Sequence, residues 1–191
     1  MSKRFGIIIV LMLMIALPCS AIAGEYDGKI NYYIKSSIKA WLSAPELIDA
    51  VAQQNVDHIG ITAKDIKILD LQWKEERLQF KNGGSLVKSK MKNKLAAFLR
   101  GVKAASAGKI VEIFVMDNCG LNVGQTDPTG DYMQGDEAKW QKTYQHGADA
   151  VFIDDVEEDN GMKICQVSLT VARPDGSPVG AVTIALNVDK L

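Results

Sequence analysis

Gly108-Lys109-Ile110-Val111-Glu112-Ile113-Phe114-Val115-Met116-Asp117-Asn118-Cys119-Gly120-Leu121-Asn122-Val123-Gly124-Gln125-Thr126 is where the chain changes its hydrophobic period. Before Gly108 apolar residues recur every three to four positions, and after it they recur every second one. Lys109 to Asp117 therefore reads as a strand, Asn118-Cys119-Gly120 as a tight turn, and Leu121 to Thr126 as a returning strand. The residues on either side of this stretch decide what the hairpin belongs to.

Downstream, Asp127-Pro128-Thr129-Gly130 breaks the chain, and Gly135 to His146 reads as a short helix closed by Gly147. Ala150 to Val156, Met162 to Ala172 and Val179 to Val188 are three further strands. Turn residues fill the connectors Glu157 to Gly161 and Arg173 to Pro178. Cys165, Val167, Leu169 and Val171 alternate with Ile164, Gln166, Ser168 and Thr170; Val182, Ile184, Leu186 and Val188 alternate with Ala181, Thr183, Ala185 and Asn187. One face is greasy and the other small or polar. Alternation alone favours solvent on the polar face, against the alternative that it lines a ligand cavity.

Upstream the reading is helical. Ile30, Tyr33, Ile34, Ser37, Ile38, Trp41 and Leu42 follow a 3-4 spacing that puts one apolar stripe along a helix. That stripe either packs on the chain's own sheet or pairs with a second copy as a homodimer. Pro45 suits the first position of a new helical turn. Thr62-Ala63-Lys64-Asp65 resembles a capping box opening a helix with Ile66, Leu69 and Trp73. A last helix is expected from about Leu86 to Ser106, stopped by Gly108. Helices followed by strands make an α+β pattern with an antiparallel sheet.

The N-terminus carries Lys3 and Arg4, an apolar run from Gly6 to Leu17, and Ala21-Ile22-Ala23 before Gly24. This is the tripartite pattern of a cleavable secretory signal peptide, and the run is too short to span a bilayer. Pro18 argues against a lipoprotein site at Cys19. The expected organisation is a leader over 1–23, a helical region over 24–108 and a sheet region over 109–191, the last two forming one domain. Twenty basic and twenty-three acidic residues would remain after cleavage. A mildly acidic chain without a basic block argues against nucleic acid. Cys119 and Cys165 would lie in a compartment that permits disulfides, and their state as free or bonded stays open.

Chemistry concentrates in Asp131-Tyr132-Met133-Gln134-Gly135-Asp136-Glu137-Ala138-Lys139-Trp140-Gln141-Lys142-Thr143-Tyr144. With Asp136 as the cap, Glu137, Trp140 and Tyr144 share one helix face. Aromatic rings beside carboxylates suit a cationic or amphiphilic small molecule, while Lys139 could pair with a ligand carboxylate. A surface helix whose aromatics cover the sheet is the plainer reading. The acidic cluster Asp154, Asp155, Glu157, Glu158 and Asp159 does not have EF-hand spacing, so a solvated hairpin tip is favoured over a calcium site. No G-x-S-x-G, H-E-x-x-H or glycine-rich phosphate loop occurs, and His58 and His146 are isolated. The expectation is a chain that is not an enzyme and uses no metal or cofactor.

Glu112 to Asp117 followed by Gly120 to Val123, the run from Asp131-Tyr132 through Gly135 to Trp140, and Pro178 to Val182 together resemble bacterial extracytoplasmic sensor domains of the Cache, or PDC, type. Leu69-Asp70-Leu71-Gln72-Trp73 is similar to a helix of their stand-alone periplasmic members. The resemblance implies a PAS-like five-stranded antiparallel sheet ordered 2-1-5-4-3 on a long N-terminal helix. In that layout the Cys119 turn and the start of the Cys165 strand fall at opposite ends of the sheet. It also implies a pocket between the sheet and Asp127 to Asp155 for an amine, amino acid or carboxylate. Tyr132, Asp136, Trp140, Tyr144, Lys139 and Asp155 are the expected ligand-binding residues. Amino-acid-binding members carry an arginine before the aromatic pair, where this chain has Lys139 before Trp140. No membrane helix follows the last strand, so the expected role is a periplasmic binding protein that relays occupancy to a separate membrane receptor or signalling enzyme. The alternative is a protein–protein interaction module with no small ligand.

Overall fold

The computed structural model describes residues 20–80 and 83–191, with side chains from residue 24 onward. Most of the expected leader thus lies outside the described residues. Helix α1 (Ser20–Tyr33) continues through a π-helical turn (Ile34–Ile38) into α2 (Lys39–Leu42). Ile30, Ile34 and Ile38 point into the core and are essentially buried. The stripe packs on the chain's own sheet. Ala44 starts α3 (Pro45–Asp57) with Pro45 in its first turn, where the missing N–H costs nothing.

Thr62 caps α4 (Ala63–Gln79): its hydroxyl accepts from the Asp65 amide, and the Asp65 carboxylate accepts from the Thr62 amide. Aspartate therefore completes the capping box that usually takes glutamate or glutamine. The expected helix from Leu86 to Ser106 is two helices, α5 (Ser85–Met91) and α6 (Lys94–Ala105). The break falls at Asn93, whose side-chain oxygen accepts from the Ala96 amide and starts the second helix.

Strands β1 (Ile110–Met116), β2 (Asn122–Gln125), β3 (Val151–Asp159), β4 (Met162–Ala172) and β5 (Pro178–Asn187) form one antiparallel sheet ordered 2-1-5-4-3. The β3–β4 hairpin turns through Asn160 and Gly161, both at positive φ (49° and 75°), as a two-residue turn requires. Cys165, Val167, Leu169 and Val171 meet Val182, Ile184 and Leu186 beneath the N-terminal helices in the main core. Cys119 and Cys165 are free.

The opposite sheet face departs from the expectation of solvent. Ser168, Thr170 and Thr183 are buried, because the segment from Asp127 to Ala150 folds back across them. That segment holds only a short helix, α7 (Ala138–Gln141), and a single 3-10 turn (Tyr144–His146), in place of the continuous helix expected over Gly135 to His146. Gly135 is pressed against the hairpin turn, where an added Cβ would lie 2.8 Å from the Cys119 carbonyl oxygen. Thr143 leaves helical geometry at φ −116°, ψ −81°. Within these limits only one helical turn fits.

Candidate functional site

Asp127 to Ala150 is anchored at its first half by α4. Asp70 accepts from the amides of Tyr132 (2.9 Å) and Met133 (3.2 Å). Lys74 bridges Asp70 and Asp131. The Trp73 indole N–H donates to the Thr129 carbonyl (3.0 Å), and its ring stacks on Tyr132 with centroids 5.5 Å apart. Tyr132 is therefore a core residue in a cluster with Trp73, Val87 and Leu121. Burial, then the nearby Asp117 charge, pushes its phenol far above the usual range.

Trp140 belongs to a different cluster, on Phe114, Met116 and Ala181, with Tyr144 stacked on it at 5.1 Å. Its indole N–H donates to the Asp117 carbonyl (3.0 Å). The Asp117 carboxylate, fully buried, accepts from Gln54 (2.8 Å), lies 2.7 Å from His58 Nδ1, and accepts from the amides of Cys119 and Leu121. One turn thus joins Trp140 to α3.

Asp136 is exposed and does not cap α7; Glu137 occupies the cap position without a side-chain bond. The Glu137 amide instead closes a turn on the Gln134 carbonyl, which shifts the helix start by one residue. Lys139 and Asp155 do come together, in a cleft of about 360 Å³ between the sheet and the segment. Its floor is Val111, Ile164, Gln166 and Ala185, and its walls carry Glu112, Glu137, Asp154, Asp155, Glu157 and Asp159. The acidic cluster is thus part of a cleft wall rather than only a solvated hairpin tip. Among the described residues no group of three or more His, Cys, Asp or Glu is placed to hold a metal ion.

Lys139 pairs with Glu137 at 2.9 Å and stands 5.3 Å above the Phe114 ring. Burial, and next the Asp127 charge, raises the Glu112 carboxyl above its usual range, opposed by Lys103, Lys139 and Arg77. The expected site set therefore divides: Lys139 and Asp155 in the cleft, Trp140 and Tyr144 roofing the sheet beside it, Tyr132 in the α4 cluster, and Asp136 in solvent. Glu112 and Gln166 were not among the expected residues. Glu112 had a signal, since it is a carboxylate inside an otherwise apolar strand.

Burial pushes the Cys165 thiol up to about 11, and it raises Cys119 as well. Both sulfurs stay protonated at neutral pH, which is unfavourable for a nucleophile.

No family model matches this sequence. No curated protein matches it. Among solved structures, the chain is similar to the sensor domain of the histidine kinase DctB from V. cholerae at 11% identity and a TM-score of 0.39, covering 89% of this chain and 57% of that one. It is similar to the ligand-binding domain of the Campylobacter jejuni chemoreceptor Tlp3 in complex with L-valine, at 9% identity and a TM-score of 0.39, covering 82% and 63%. It is also similar to the ligand-binding domain of the Pseudomonas aeruginosa amino acid chemoreceptor PctC in complex with GABA, at 15% identity and a TM-score of 0.38, covering 85% and 60%. In each case the chain spans less than two thirds of the other's length. Among the described residues, no helix is long and apolar enough to cross a membrane.

Proposed function

We propose that this protein is an extracytoplasmic small-molecule-binding protein of the Cache type, exported by its leader, and not an enzyme. The observation that carries the reading is the cleft where Lys139, Asp155 and Glu112 meet beside Trp140. Its volume falls within the range of about 300–1,000 Å³ usual for ligand pockets. The sheet order and the segment folded over one sheet face agree with the resemblance noted in the sequence. Occupancy of the cleft bears on Trp140, and through Asp117 on Gln54 of α3. That path gives a route to the helical surface, where a separate membrane receptor or signalling enzyme would read it.

The test is thermal unfolding with panels of amines, amino acids, carboxylates and nucleobases. One class should raise the melting temperature of the parent protein, and Trp140→Ala should lose that rise. A flat response to every class sinks the binding reading.

A second reading is an interaction module. It is favoured by α4, which turns Trp73 inward while Ile68, Leu71 and Leu78 lie exposed on its other side, Leu78 by 88%. Capture of a membrane partner at full affinity by Trp140→Ala, with loss in Leu78→Ser, would select it.

A further inference from the structure

Four buried side-chain polar atoms have no hydrogen-bond partner among the described residues: Asn122 Oδ1, Gln125 Oε1, Gln125 Nε2 and Thr170 Oγ1. All four lie on one face of the sheet. Gln125 pairs with Phe114 and Asn122 with Met116, while Thr170 and Met116 both pair with Ala181. Paired residues of an antiparallel sheet point to the same side, and Phe114, Met116 and Ala181 form the cluster under Trp140. The orphaned groups therefore lie beneath the same segment that roofs the cleft. Buried polar groups are normally satisfied, and an amide with both ends idle calls for a partner that bonds it.

Asn122 already uses its Nδ2 on Thr129 and the Asp131 carbonyl. Gln125 uses neither end and is fully buried. Glu112, two residues from Phe114 along β1, lines the cleft. Diagonal neighbours on adjacent strands are about 7–8 Å apart, so Glu112 and Gln125 lie within reach of one short-chain molecule. The cleft opposes six carboxylates to one lysine, and that lysine is already paired with Glu137. A ligand carboxylate would meet this charge unfavourably, and a ligand ammonium favourably. Lys139 stands 5.3 Å above the ring of Phe114, the strand partner of Gln125.

We infer that the ligand is an organic cation carrying an uncharged hydrogen-bonding head, its ammonium held before Glu112 and its head bonded by the Gln125 amide. The inference rests on the binding reading above. It sets this site apart from one that takes free amino acids, because the cleft lining holds six carboxylates against one lysine.

The test uses three probes that share a five-carbon chain: 5-aminopentanamide, 5-aminopentanoate and pentylamine. Calorimetry should find the amide tighter than the carboxylate by at least about tenfold, a margin of about 1.4 kcal/mol, with pentylamine between them. Gln125→Met keeps the volume and removes the amide. It should erase the advantage of 5-aminopentanamide over pentylamine while the ligand-free melting temperature holds or rises, since two orphaned atoms are gone. Glu112→Gln should weaken 5-aminopentanamide and pentylamine alike. Equal or tighter binding of 5-aminopentanoate overturns the inference, as does an amide preference that survives in Gln125→Met. Binding of amino acids or carboxylates without these amines overturns the inference and leaves the binding reading standing. No response to any class removes both.

Discussion

The segment from Asp127 to Ala150 crosses the sheet in two halves built on different terms. In the first half, Asp70 satisfies two backbone amides, Trp73 both stacks and donates, and Lys74 closes the ion pairs. In the second half, Trp140 and Tyr144 stack over a sheet face where, among the described residues, the side-chain polar atoms of Gln125 and Thr170 have no partner. One acidic cleft opens beside it. The same stretch of chain is thus fixed where it starts and incomplete where it roofs the sheet. Satisfied polar groups stabilise a fold, whereas unsatisfied ones cost free energy unless something else bonds them. The difference separates residues that hold the segment from residues that a ligand would satisfy under the binding proposal.

The comparison breaks most readily at Trp73. Trp73→Ala empties a fully buried site and removes the donor to Thr129, so urea unfolding should give a loss of about 3–5 kcal/mol. A loss below about 1 kcal/mol would mean that α4 does not anchor the segment.

Trp140→Phe keeps a ring on Phe114 and Met116 but removes the bond to the Asp117 carbonyl. A loss of about 1 kcal/mol is expected, together with weaker binding of whichever ligand class the panel identifies. A cost as large as that at Trp73, with binding intact, would make the two halves alike.

The smallest effect is a change of slope. Glu112 is raised in the folded chain, first by burial and then by Asp127. The folded state then binds its proton more tightly than the unfolded state. Its contribution is favourable at low pH and is lost as pH rises from the ordinary glutamate range through the raised folded value. Glu112→Gln should flatten that part of the stability curve, read from urea midpoints between about pH 4 and pH 7.5. Parallel curves for the two proteins would remove Glu112 from the account of the cleft.

Local signals in the sequence carried much of this fold. The switch of period at Gly108, the Thr62–Asp65 box, Pro45 and the span of β4 all depend on neighbours in the chain, and each reads correctly from them. The break at Asn93 was readable in principle, since asparagine is a strong helix cap, but the apolar spacing runs on across it. The shortening of the helix around Trp140 was not readable, because it depends on Gly135 lying against the Cys119 turn. The candidate site divides in the same way. Lys139, Trp140 and Tyr144 stood out as a local cluster. Glu112 and Gln166 join the cleft only through the folding of the sheet, and Tyr132 leaves the set because Trp73, far away in sequence, takes its ring.

By itself the sequence determined the α+β class, the five strands and the amphipathic helices, since hydrophobic period and capping are properties of adjacent residues. Only the tertiary structure decided that the polar sheet face is buried, that six carboxylates share one cleft, and that the buried Gln125 amide has no partner among the described residues. Those facts depend on which face the segment from Asp127 to Ala150 covers, and alternation in a strand gives two faces without saying which will meet water.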